Sequence, residues 1–315
     1  MRALFVLLST VIAVVVLAGC DSAPDRGVEA DALESRLRHV PGVAEASTSY
    51  EHGGSRGSAV TVDVSMPDAT DAQVVDLVRE MDDTMGDDFD RYHVDITVSL
   101  GPRVQLRSTG KMQPGPTARD VAIGRAMEKG VDARSVAVFQ APGGPRVDIR
   151  EATDSQSAVA TAIEAIGGVP AGIEAYPVDS PDQRSWDVTT PLSVDDFRTM
   201  ASRVDRLPAR AFAVAIRDGH VSRLSVGVDA SESDALTTLR SIVDDLGAGP
   251  DRPLYLNWTS QADAVGTDRR DSGSVTVGGC GYPESAGEQD PQKYFTDAAL
   301  AVQKQMRSEY DTCRR

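Results

Sequence analysis

The chain has 315 residues, of which 41% are hydrophobic, 5% aromatic and 25% charged; this ordinary globular composition excludes wholesale disorder and leaves length for two or more domains. Forty-eight Asp and Glu against thirty-two Lys and Arg give a formal charge of -16, which disfavours a nonspecific phosphate-binding surface, so no nucleic acid is expected as a partner. Beyond the first nineteen residues no stretch is apolar for long enough to span a bilayer.

At the N-terminus Arg2 supplies a minimal positive region, Ala3 to Leu17 form an apolar run broken only by Ser9 and Thr10, and Leu17-Ala18-Gly19-Cys20 closes it with small residues. The quartet resembles the lipobox of bacterial membrane lipoproteins. That resemblance implies cleavage before Cys20, a diacylglyceryl group on its thiol with further acylation of the palmitate kind, and a body held at the extracytoplasmic face of the cell membrane by lipid. The competing reading is a transmembrane anchor that contains Cys20, for which the run is at the short end. Residues 1–19 are therefore expected to be a signal peptide and residues 20–27 a lipidated tether. Loss of Arg2 takes the charge from -16 to about -17, and a tether of eight residues at about 3.4 Å each reaches less than roughly 30 Å. The first folded unit then sits near the bilayer and the C-terminal part projects outward. Four Lys against twenty-eight Arg, with Asn257 the single Asn, match a GC-rich genome, and with the lipobox the chain is similar to actinobacterial lipoproteins.

With Cys20 committed to lipid, Cys280 and Cys313 remain as an even pair in an oxidising compartment and are expected to form a disulfide. There is no CxxC, and His39, His52, His93 and His220 lie in separate segments, so neither a metal nor another cofactor is expected.

A pattern of helices and strands organises the rest. A helical stripe (Leu33, Leu37, Val40) precedes Pro41-Gly42, a strand near 43–50, a Gly-rich turn and strict alternation at Val60, Val62, Val64 and Met66. Thr70-Asp71-Ala72-Gln73 has the form of a capping box before the stripe Val74, Leu77, Val78, Met81 and Met85, and Val94, Ile96, Val98 and Leu100 alternate again. From residue 103 the order recurs: strand Val104–Arg107, a helix after Thr117, strands Val136–Phe139 and Val147–Arg150, a box at Thr153-Asp154-Ser155-Gln156, and strand Ile173–Val178. A third copy has strand Trp186–Val188, a helix from Ser193, strands Phe212–Ile216 and Val221–Val228, a helix capped by Ser231, and strand Leu254–Trp258. A polar loop, a strand at Val275–Val277 and a helix from about Pro291 to Tyr310 finish the chain.

The fold class read from this is α+β, with about three tandem ferredoxin-like repeats of α-β-β-α-β or β-α-β-β-α-β order plus a C-terminal helix. Their boundaries are 28–101, 102–180 and 181–260, with residues 261–315 forming the loop, strand and stapled helix. The repeats are similar in pattern to heavy-metal-associated and BON domains, but the CxxC loop of the former has no counterpart, so fold alone transfers.

Chemistry-bearing motifs are sparse. Ser108 and Lys111 have SxxK spacing, but Gly110 and the preceding strand argue against the helix that such a nucleophile needs. Gly110-Lys111 lacks the first glycine and the Ser or Thr of a phosphate loop. Asp82, Asp83, Asp87, Asp88 and Asp90 miss EF-hand spacing. No catalytic residue is assigned. The function expected is a non-catalytic binding or interaction module of the cell envelope, with a lipid or small-solute carrier and a hydrolase with dispersed residues as alternatives. Trp186, Tyr255 and Trp258, if not core, are the candidate anchors for an envelope protein partner.

Overall fold

The computed structural model describes residues 23–54, 57–179, 183–228, 231–260, 272–282 and 289–313, so Cys20 and the expected signal segment lie outside the described residues. Helix α1 (Gly27–Leu37) precedes strands β1 (Glu45–Gly54) and β2 (Gly57–Ser65), and α2 (Asp71–Met85) precedes β3 (His93–Ser99) and β4 (Val104–Thr109). The order continues with α3 (Pro114–Gly130), β5 (Ala133–Phe139), β6 (Arg146–Ala152), α4 (Ser155–Ile166), β7 (Ala171–Pro177) and β8 (Ser185–Thr190). Then come α5 (Val194–Asp205), β9 (Ala211–Arg217), β10 (His220–Val228), α6 (Glu232–Leu246), β11 (Leu254–Ser260) and β12 (Ser272–Val277). A single turn at Pro291–Tyr294 leads into the C-terminal helix, Asp297–Tyr310.

The twelve strands form one open mixed sheet in sequential order, β1 to β12. Each strand pair that flanks a helix is parallel, as in β2–β3 and β4–β5, and each pair joined directly is antiparallel, as in β3–β4 and β5–β6. This corrects the ferredoxin-like expectation. A crossover in that arrangement leaves room for another strand between the two it joins, whereas every crossover here joins neighbours, so the repeating unit is α-β-β. The helices from α1 to α6 start at residues 27, 71, 114, 155, 194 and 232, 38 to 44 residues apart, about half the repeat length read from the sequence. Pairing also runs through the expected boundaries, since Ser99 pairs with Gln105 and Ala175 with Trp186, so the expected repeats share one sheet.

Alternation sorts the strand side chains. Val60, Val62 and Val64, Ile96 and Val98, Val147 and Ile149, and Leu254 and Leu256 are all buried, against the helix layer. Helix starts follow cap chemistry: Thr70 and Gln73 form the expected capping box, and Ser193, Ser231 and Thr296 accept from the third residue of their helices. Two starts differ from the sequence reading. Asp154, not Thr153, caps α4, because the Thr153 hydroxyl donates to the Asp132 carboxylate (2.9 Å). Helix α3 begins at Pro114, whose fixed φ suits the first helical position, and the Thr117 hydroxyl inside it donates to the Gln113 carbonyl. The expected final helix is broken at Phe295, ahead of the Thr296 cap.

Both sheet edges are closed by side chains. On β1 the Thr48 amide donates to the Glu34 carboxylate (2.7 Å), and the Ala46 carbonyl accepts from Arg38 (3.1 Å). On β12 the Ser274 amide donates to Gln303 Oε1 (2.9 Å), and its carbonyl accepts from Arg307 Nε (3.0 Å). Side chains at the terminal helices thus occupy an amide and a carbonyl in the middle of each edge strand, which hinders pairing with a further strand there. A bidentate Arg240–Glu309 pair joins α6 to the C-terminal helix and holds the Glu309 carboxyl below its ordinary range. The expected Cys280–Cys313 disulfide is present, and the Gly278 amide donates to the Tyr310 carbonyl beside it (3.0 Å). Closing a loop across a sequence separation of 33 contributes about 3–4 kcal/mol in the chain-entropy view. Cys313→Ser should therefore speed hydrogen exchange at the Ser274 and Thr276 amides by at least about tenfold while leaving β2 to β4 protected; unchanged exchange at both amides would show that the staple does not guard this edge.

Candidate binding surfaces

The helices cover one face of the sheet, and the opposite face carries the alternate residues. Across the central strands one row on this open face reads Arg107, Phe139, Arg146 and Gly172 in direct register. The Arg107 guanidinium lies 5.3 Å and the Arg146 guanidinium 4.4 Å from the Phe139 ring centroid, so one half-buried ring carries two exposed cations. The next row reads Ala137, Asp148, Glu174, Asp187 and Ala215, three adjacent carboxylates that would repel if unpaired. Each is partnered on the face itself. Asp148 pairs with Arg150 (2.7 Å), Glu174 accepts from the Tyr176 hydroxyl (3.0 Å), and Asp187 pairs with Arg217. Burial and then Glu174 push the Tyr176 phenol above its ordinary range, and the hydrogen bond to Asp148 raises Arg150 further. Over the central strands β4–β9 four guanidiniums, of Arg107, Arg146, Arg150 and Arg217, outnumber these three carboxylates, whereas Asp63 and Asp95 on β2 and β3 make the neighbouring part of the face acidic. Arg107, Arg146 and, further along, exposed Arg223, 5.6 Å from the Tyr255 ring, stand on aromatic rings with no ion pair to a carboxylate among the described residues.

The three aromatics expected at a partner surface divide between the two faces. Trp186 is 2% exposed and meets Phe197 of α5 edge-on at 5.2 Å, and Trp258 is 4% exposed and lies over Gly273, where a Cβ would come within 2.4 Å of the indole. Both indoles are core, which corrects their assignment as anchors: they alternate in step with Val188 and Leu256, on the helix-facing side. Tyr255 faces the open side, opposite Arg223. Ser108 is a buried strand residue paired with Ile96, not a helical nucleophile. Lys111 donates to the Gly86 carbonyl and the Asp90 carboxylate, and Arg26 pairs with Asp88 (3.0 Å), so basic partners meet the acidic run. Among the described residues no cluster of His, Cys, Asp and Glu is arranged to hold a metal ion, and no helix is long and apolar enough to cross a membrane.

On the helix side, α4 and α5 flank an open groove of about 880 Å³ that ends at Arg203, Gly219 and Arg252. A smaller pocket of about 40 Å³ adjoins it, lined in part by Arg203, His220, Leu246 and Arg252. Arg107, Phe139 and Arg146 alternate with buried Leu106, Val138 and Val147, but their adjacency is a matter of register. The groove residues come from four separate segments, and no local sequence signal joins them. No protein-family model, curated protein or solved structure matches the chain.

Trp186→Ala should cost about 3–5 kcal/mol of stability by chemical denaturation, because it removes the side chain that seats α5, whereas Tyr255→Ala on the open face should cost less than about 1 kcal/mol. Equal costs would contradict the division of these residues between core and surface.

Proposed function

We propose that the chain is a lipid-tethered extracytoplasmic lipoprotein of the cell envelope that works as a non-catalytic docking platform, with the open sheet face as its recognition surface. The observation that carries the reading is the combination of engaged edges with a sheet face that no described element covers: side chains of the terminal helices hold backbone groups of β1 and β12, which disfavours strand addition and favours a partner that meets the sheet face-on. The face selects its partner by charge. On the central strands Asp148 and Asp187 are paired with Arg150 and Arg217, while Arg107, Arg146 and Arg223 present guanidiniums backed by aromatic rings, which suits a protein segment carrying Asp or Glu beside apolar side chains; Asp63 and Asp95 confine this basic patch to β4 and the strands beyond it.

The Leu17-Ala18-Gly19-Cys20 quartet supports the anchor, and the disulfide agrees with an oxidising compartment. The chain is already docked at Ala23, which is buried, and the Tyr92 hydroxyl donates to the Pro24 carbonyl while Tyr50 binds Asp25. With lipid on Cys20, the three peptide units from Cys20 to Ala23 leave a free tether of only about 10 Å instead of the 30 Å allowed by residues 20–27. The first unit then lies against the headgroups and the sheet extends away from them, eleven strand spacings or about 50 Å in all.

In-cell photocrosslinking from probes at Thr97 and Thr189, which share the row of Arg107, should capture an envelope protein through an acidic segment. Arg107→Glu with Arg146→Glu should reduce that capture at least about tenfold with the thermal midpoint held within a few degrees. Capture unaffected by the charge reversal, or stronger from exposed helix positions such as Asp76 and Arg198, would overturn the reading.

A further inference from the structure

From α1 to α5 each helix packs against the next, and α6 packs against the C-terminal helix, but α5 and α6 stand apart. Phe197 of α5 rests edge-on against Trp186 of β8, and Met200 and Arg203 in the C-terminal half of α5 line the opening. The 880 Å³ groove and the 40 Å³ pocket meet there, sharing Met200, Arg203, Gly219 and Arg252.

Rigid pieces build the walls. Arg203 lies in the last turn of α5. Arg252 sits in a loop pinned by two mutual backbone hydrogen bonds with Gly249, at 3.0 and 3.1 Å, and the Gly278 backbone approaches that loop so closely that a Cβ would fall 2.2 Å from Gly249. His220 leaves the Asp218-Gly219 turn, where both residues have positive φ (49° and 70°), and its Nε2 is buried with no hydrogen-bond partner. The inner pocket thus gathers two guanidiniums and an imidazole with no carboxylate in its lining, and no ion pair engages Arg203 or Arg252 among the described residues. In a chain of formal charge -16 this is a local reversal of sign. Ile163, Leu192, Val194 and Met200 continue from it along the groove as an apolar strip. Glu164, Asp196 and Asp218 lie on the same outer groove, so a ligand with several negative charges would be repelled.

We propose that this cleft binds an aliphatic monocarboxylate, its headgroup in the basic pocket between Arg203, His220 and Arg252 and its chain along the strip beside α5. The pocket is large enough for a group of a few heavy atoms, and a carboxylate can take paired donors from a guanidinium. The site is independent of the open sheet face and of any protein partner.

The test is titration of the full chain with decanoate, followed through its carboxyl carbon resonance, with decanol and acetate as matched probes lacking the charge or the chain. Decanoate should saturate one site per chain, and decanol and acetate should bind at least about tenfold more weakly. Arg203→Gln with Arg252→Gln, both at exposed positions, should weaken decanoate at least about tenfold while Arg107→Glu leaves it unchanged. Met200→Trp, which narrows the groove from α5, should also weaken it. Equal binding of decanol and decanoate, binding unmoved by the paired Arg changes, or no saturable binding at millimolar decanoate would each overturn the proposal, and none of these bears on docking at the open face.

Discussion

The architecture rests on a match of widths. Neighbouring strands lie about 4.8 Å apart and packed helices about 8–10 Å apart, so two strands occupy nearly the width of one helix. An α-β-β unit therefore adds one helix to the upper layer and two strands to the lower one without the layers drifting out of step, and the chain can repeat it in order from β1 to β12. Small residues tighten the match between α3 and the sheet and between α3 and α4. Gly124 of α3 sits where a Cβ would come within 3.1 Å of both Leu100 and Val104, and Gly130 faces Thr161 of α4.

That arrangement determines which surfaces can take part in recognition. A two-layer slab has one bare sheet face, two edges and a helix side. Side chains at the terminal helices engage the outermost strands: Arg38 and Arg307 donate to their carbonyls, and Glu34 and Gln303 accept from their amides. The open face pairs Asp148 with Arg150 along β6 and Asp187 with Arg217 across β8 and β9, and sets cations over rings, so the proposed recognition patch on the central strands is basic.

Much of this was legible in the sequence as elements and little of it as pairing. The alternation of Val60, Val62 and Val64, the Thr70–Gln73 box and the Ser193 and Ser231 caps marked strands and helices close to where they form, and the cysteine count gave the disulfide. The order α-β-β-α-β, however, is common to a ferredoxin-like unit and to two consecutive α-β-β units. What separates them is whether a crossover returns to the adjacent strand, which depends on helix-to-helix packing such as that of α2 on α3 across the expected boundary at 101–102. Trp186 and Trp258 carried a readable signal in their strands, since each alternates in phase with buried Val188 or Leu256. Arg107, Phe139 and Arg146 become neighbours only through register, and Arg203, His220 and Arg252 only through the gap between two helices.

The central claim, one continuous sheet in sequential strand order, is tested most directly by a pulsed spin-label distance between Glu45→Cys on β1 and Tyr255→Cys on β11, which lie within about a residue of the same row. Ten strand spacings predict a single narrow distribution near 45–50 Å at about 4.8 Å each. A broad distribution, or a principal distance below about 35 Å, would contradict the continuous sheet and return the chain to separately folded repeats.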